Sequence, residues 1–167
     1  MLLAFLITRW KPLAALLVLI ALGWCAWLWQ PERQVQLHQR HLLEAAQTRN
    51  WGKFKPLLAE DFRTSGNDDK AATVRMTAEV LRQFFTLEIT ASETKLTLEG
   101  PEAKLSTRLR ISGNGMPFAE AVQEALNHSR DPFEFTWRRQ SWKPWDWRLV
   151  YAGHSLIPRV WTGEWPL

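Results

Sequence analysis

The apolar and polar positions divide the chain at Pro31. Leu13 to Trp29 carries no charge over 17 residues, which meets the lower limit of roughly 17 to 25 needed for a helix to cross a ~30 Å hydrocarbon core. Beyond Pro31 the apolar residues recur first with helical and then with alternating period. Val35, Leu42, Leu43 and Ala46 make the stripe of a helix over Glu32 to Arg49, with Pro31 at a permitted first-turn position. After a break at Asn50, the spacing of Trp51, Phe54, Leu57 and Leu58 predicts a second helix. Asp61 to Gly66 reads as a short strand running into a loop. Asp68 and Asp69 then open a third helix, their negative charge at its positive end, with Val74, Ala78, Leu81 and Phe85 as its buried stripe.

From Leu87 the period becomes two, the signal for half-buried strands. Leu87, Ile89 and Ala91 alternate, then Leu96 and Leu98, then Leu105, Leu109 and Ile111, with Gly100-Pro101-Glu102 as the intervening turn. Phe133, Phe135 and Trp137 are expected to oppose Trp147, Leu149 and Tyr151 across a hairpin whose loop includes Ser141 to Pro144. One sheet face is thus aromatic. The other carries Glu134, Arg138, Asp146, Arg148, Arg108 and Arg110 as a solvated charge ladder. Between the strand groups, Pro117 starts a segment in which Phe118, Val122 and Leu126 repeat at i, i+4 and i+8, which predicts an extra helix over about 117–128. Such a helix either caps the sheet's open mouth or covers a strand edge, and edge protection is the commoner need.

The order of elements resembles the NTF2-like, or SnoaL-like, cystatin-type α+β fold, in which three helices pack on a curved antiparallel sheet. The residues that carry the resemblance are Leu42 to Trp51 at the end of the first helix, Leu57 to Phe62 where the second enters its strand, Gly100 to Ala103 at the central turn, and Trp147-Arg-Leu149 in the closing strand. It covers about residues 34–154. The expected organisation is an N-terminal tail and anchor over 1–30 and one α+β domain over 31–167, ending in a Trp- and Pro-containing tail, 155–167.

The apolar segment has a competing reading. Arg9, Lys11 and Ala21-Leu22-Gly23 partly imitate the cationic start and small-residue site of a cleaved signal peptide. Cleavage after Gly23 would leave Trp24, Trp27 and Trp29 on a free terminus, whereas a retained helix puts these indoles in the membrane interface. Retention is the simpler account. Cys25 is not a lipoprotein acceptor, because Trp24 stands where a small residue is required. Arg9 and Lys11 before the span outweigh the mixed charges after it, which places the N-terminus in the cytoplasm and the domain in the periplasm or another extracytoplasmic space.

The net charge of +4 invites a nucleic-acid reading, but two of the 21 basic residues lie in the anchor region, leaving a net of +2 over the domain against its 17 acids. No basic stripe exists. The charge pattern therefore disfavours nucleic acid as a partner.

Candidate chemistry is sparse. The resemblance implies an acid or base in a conical cavity with an oxyanion donor, and the available set is Asp61, Tyr151 and His154. Each also has a structural account: Asp61 as a turn residue, Tyr151 as a core aromatic with a wet hydroxyl, and His154 as a surface group at a strand end. His38, His41 and Glu44 recur every three residues without forming a metal motif, so neither a metal nor a cofactor is expected. Trp142, Trp145, Trp161 and Trp165 lie in a loop and a tail, where a partner surface competes with packing on the domain's own sheet.

The expected function is a membrane-anchored, noncatalytic module that binds a protein partner, another copy of itself or a small apolar ligand, as part of an envelope assembly. In layout alone it resembles the inner-membrane scaffold component of type IV secretion systems. The alternative is an isomerase or lyase working in the cavity.

Overall fold

The computed structural model describes residues 14–24, 27 and 29–157. Residues 14–24 are helical, and Leu16, Leu17, Val18, Leu19, Ile20, Leu22 and Trp24 along them are exposed. Among the described residues no helix is long and apolar enough to cross a membrane. The transmembrane helix expected over Leu13 to Trp29 is therefore not established; residues 13, 25, 26 and 28 of that segment lie outside the described residues, as do Arg9, Lys11, Trp161 and Trp165.

The domain begins with α1 (Pro31–Gln47), whose inner face is Val35, Gln39, Leu42, Ala45 and Ala46. Arg49, at a positive φ of 54°, turns the chain and donates from Nε to the Leu81 carbonyl and from Nη2 to that of Phe84. The Asn50 side chain accepts from Lys53 N–H at 3.1 Å and caps a single turn, α2 (Trp51–Phe54). A 3-10 turn over Lys55–Leu57 follows, so Leu58 opens β1 (Leu58–Thr64) instead of closing the second helix as expected. Asp69 caps α3 (Lys70–Arg82), accepting from Ala72 N–H at 2.8 Å.

Two long strands come next, β2 (Phe84–Glu99) and β3 (Glu102–Gly115), joined at Gly100, whose φ of 59° the turn requires. The inserted helix, α4 (Pro117–His128), precedes the hairpin of β4 (Phe133–Arg139) and β5 (Trp147–Gly153). The sheet order is β1-β5-β4-β3-β2. It is mixed, not antiparallel throughout as expected: β1 runs parallel to β5, while the other pairs are antiparallel.

Three expected inward positions are corrected. Phe85 is 73% exposed and its neighbour Phe84 is 2% exposed, because α3 ends at Arg82 and β2 carries a bulge between Phe84 and Thr86. On α4 the buried residues are Ala119 and Val122, and Phe118 is exposed. A third correction comes from the β4–β5 register, which shifts between Thr136 and Trp137: Trp137 pairs with Leu149, but Thr136 pairs with Tyr151, leaving Val150 as the extra residue. Leu149 and Ala152 face the core, whereas Tyr151 is carried off that face.

The core lies between the sheet and α1, α2 and α3, with Trp137, Trp147, Phe62, Phe84 and Leu105 among its fully buried side chains. Helix α4 lies along β3 and covers part of its edge. Asn127 covers the edge that β3 exposes beyond its last pairing with β4, Thr107 to Phe133, accepting from Ile111 N–H at 2.9 Å and donating to the Ile111 carbonyl at 2.7 Å. Val122 and Leu126 line the space beneath.

Candidate functional site

That space is a cavity of about 210 Å³ between α1, α3, α4 and the inner sheet face. Its walls are aliphatic and aromatic, including Leu42, Phe62, Leu81, Ile111 and Phe135. The polar side chains that reach it are Thr64, Thr73, Thr77 and His154. Thr64 is internally committed: its hydroxyl donates to Asp68 Oδ2 at 2.8 Å and accepts from the N–H groups of Gly66 and Asp68, which holds the β1–α3 loop. Thr73 is different. It is buried on the inner face of α3, and its hydroxyl has no hydrogen-bond partner among the described residues, an arrangement that costs free energy unless something else supplies one.

His154 is the one titratable side chain lining this cavity among the described residues. It is buried, against the expectation of a surface group. Leu156 N–H donates to its Nδ1 at 3.1 Å, so Nδ1 is the unprotonated nitrogen and Nε2 carries the hydrogen, within 3.1 Å of the Asp131 carbonyl and 3.4 Å of Ser129 Oγ. The ring stacks on Phe133 at 4.1 Å between centroids. Burial pushes the imidazole below its ordinary pKa range, with the Asp131 carbonyl opposing. A neutral ring with both nitrogens engaged fastens the end of β5 to the α4–β4 loop and has no lone pair left to take a proton from a bound molecule.

The other two members of the expected trio lie elsewhere. Asp61 projects from the outer sheet face, where both carboxylate oxygens accept from Arg138 Nη2 at 2.8 and 2.6 Å. That hydrogen bond holds the carboxyl below its usual range. Tyr151 lies on the outer side with its ring across Gly153, where an added Cβ would fall 2.6 Å from the phenol oxygen. Tyr151 and His154 border one shallow outer depression together with Asp131 and Glu134. Asp61 does not reach it, and the three do not meet around one position for a reacting atom.

Among the described residues, no group of three His, Cys, Asp or Glu side chains is arranged to hold a metal ion. His38 is tied to its own helix, with Nδ1 2.7 Å from the Gln34 carbonyl, and its ring meets Trp137 edge-on at 6.0 Å. Burial lowers its pKa, chiefly through desolvation. The indoles divide sharply. Trp137 and Trp147 are core residues; Trp147 Nε1 donates to the Pro144 carbonyl at 2.9 Å. Trp142 is 84% exposed and Trp145 52% exposed, both in the β4–β5 loop. Trp24, Trp27 and Trp29 are also exposed, and the Arg33 guanidinium sits 3.1 Å from the Trp27 ring centroid.

Sequence reasoning missed Thr73 and Thr77. The available signal was their i, i+4 spacing on the face of α3 that also carries Val80 and Leu81, a polar pair on an otherwise apolar stripe.

No protein-family model matches the chain, and no curated protein matches it in sequence. Solved structures do match. An NTF2-like protein from Cytophaga hutchinsonii is 15% identical with a TM-score of 0.51, the match covering 71% of this chain and 92% of that one. A candidate dehydratase of the NTF2-like family from Streptomyces avermitilis is 14% identical with a TM-score of 0.56, covering 74% and 93%. A candidate ketosteroid isomerase from Shewanella frigidimarina is 14% identical with a TM-score of 0.55, covering 74% and 96%. At these identities the likeness is one of fold. The domain has the NTF2-like, cystatin-like α+β architecture.

Proposed function

We propose that this chain is a noncatalytic NTF2-like binding module tied to a membrane by its N-terminal apolar segment, with a small, mainly apolar ligand held in the domain's cavity. The observation that carries the noncatalytic part is His154: the one titratable group lining the cavity among the described residues is neutral, with both ring nitrogens hydrogen-bonded within the fold. An isomerase or lyase would need a free acid or base there. The fold itself supports many functions and decides nothing between them.

The membrane part is supported by the run of exposed apolar side chains along residues 14–24, a continuous apolar surface that favours a covering partner or lipid over water. On the flanking charges the N-terminus is cytoplasmic and the domain extracytoplasmic. Attachment would place the module at a raised effective concentration beside an envelope partner or a second copy.

The test extracts the full chain from membranes with a lipid-solubilising polymer, without detergent, and identifies co-purified small molecules by mass spectrometry. The expected result is a bound apolar compound that is lost in Val122→Trp, where the indole occupies the cavity. Release of the chain by alkaline carbonate would remove the anchor from the proposal. Substrate turnover that vanishes in a folded His154→Gln variant would replace binding with catalysis.

A further inference from the structure

We infer that the β4–β5 loop is a second membrane contact, with Trp142 and Trp145 seated in the lipid headgroup region beside the point where the apolar segment enters the domain. This rests on the membrane attachment proposed above.

The direction of α1 locates the loop. At the middle of α1, His38 and Gln39 meet Trp137, toward the end of β4 that leads into the loop. Toward the helix C-terminus, Leu42 and Ala46 share the cavity with Phe133 and Phe135, at the other end of β4. Helix α1 therefore runs antiparallel to β4, and its N-terminus lies at the loop's end of the domain. His38 borders one surface pocket with Lys143 and Trp145, and seven residues of helix, roughly 10 Å of rise, separate it from Pro31. The β2–β3 turn lies at the same end, where Arg139 N–H donates to the Pro101 carbonyl at 2.9 Å.

The loop is built to hold its indoles outward. Gln140 N–H donates to the Asp146 carbonyl at 2.8 Å and closes its base, and the bond from Trp147 Nε1 to the Pro144 carbonyl pins its return. A protein does not hold two exposed indoles on a braced loop cheaply in water. Indole suits the headgroup layer, which accepts an apolar ring and an N–H together. Lys143 between the two indoles and Arg139 at the end of β4 add positive charge that complements anionic lipid. The exposed Trp24, Trp27 and Trp29 stand on the chain that leads into this end. Helix α4, which lines the cavity, is at the opposite end.

The experiment uses the full chain with Cys25→Ala in vesicles of phosphatidylcholine and phosphatidylglycerol. An environment-sensitive fluorophore is attached at Gln140→Cys or, at the far end, at His128→Cys. The expected result is that brominated lipid quenches the label at 140 several-fold more than that at 128, and that adding Trp142→Ser with Trp145→Ser brings 140 down to the level of 128. Equal weak quenching at both sites, in a chain that floats with the vesicles, overturns this inference and leaves the anchor standing. A chain that does not float overturns both. Shielding of the 140 label only when an envelope protein extract is added assigns the loop to a protein partner and overturns the lipid assignment.

Discussion

The Trp137 indole N–H donates to Gln39 Oε1 at 3.1 Å, joining α1 to the middle of the sheet across 98 residues of sequence inside the core. Replacing Gln39 with leucine keeps the side-chain volume and leaves that N–H without an acceptor. The expected loss is about 1–3 kcal/mol, the cost of an unsatisfied buried donor. Guanidinium unfolding followed by tryptophan fluorescence reads it, and an unchanged midpoint would show that the bond contributes nothing net. Gln39 Nε2 has no partner of its own among the described residues, which makes the lower half of that range the more appropriate.

Trp147 and Trp142 are separated by five positions and by opposite environments, 2% and 84% exposed. Trp147→Ala should cost roughly 3–5 kcal/mol by cavity formation, whereas Trp142→Ala should stay within about 0.5 kcal/mol, as surface substitutions do. Equal losses in parallel denaturation curves would mean that the loop indoles pack on the sheet.

Stability should fall in mild acid. Burial lowers the folded-state pKa of both His154 and His38 from 6.5, so below that value the unfolded chain binds more protons than the folded one. Their contribution is therefore complete above pH 6.5, is lost as the pH drops toward the folded values, and levels off beneath them. Comparing unfolding midpoints across this window in the parent and in His154→Gln tests it: the variant should be less stable throughout and show a shallower decline. An equally steep decline would assign the acid sensitivity elsewhere.

The Asp61–Arg138 pair is a surface feature, with the Asp61 side chain 60% exposed. Asp61→Ala should change stability by about 0–1 kcal/mol, the range for exposed ion pairs, and should leave the ligand content of the purified chain unchanged. A folded Asp61→Ala protein without its ligand would place this carboxylate in the binding path.

What was legible in the sequence follows from how local each signal is. The stripe of α1 and the alternation of Leu105 and Ile111 are set by neighbouring residues, so periodicity finds them. Phe84 and Phe85 are adjacent and chemically identical, and only the bulge that follows them decides which turns inward. Tyr151 was misassigned for the same reason, since a one-residue register shift leaves no local mark and reverses every side chain beyond it. The parallel pairing of β1 with β5 joins segments more than eighty residues apart and has no local signal either. His154 looked like a strand-end residue because the groups that bury it, Asp131, Ser129 and Phe133, come from another loop and strand. Thr73 was passed over because a hydroxyl in a helical pattern reads as solvent-facing.

Asn127 satisfies both backbone groups of Ile111 with one side-chain amide, doing for the end of β3 what a neighbouring strand does elsewhere. Were that clasp to open, the edge of β3 would be bare there and free to pair with the strand of another chain.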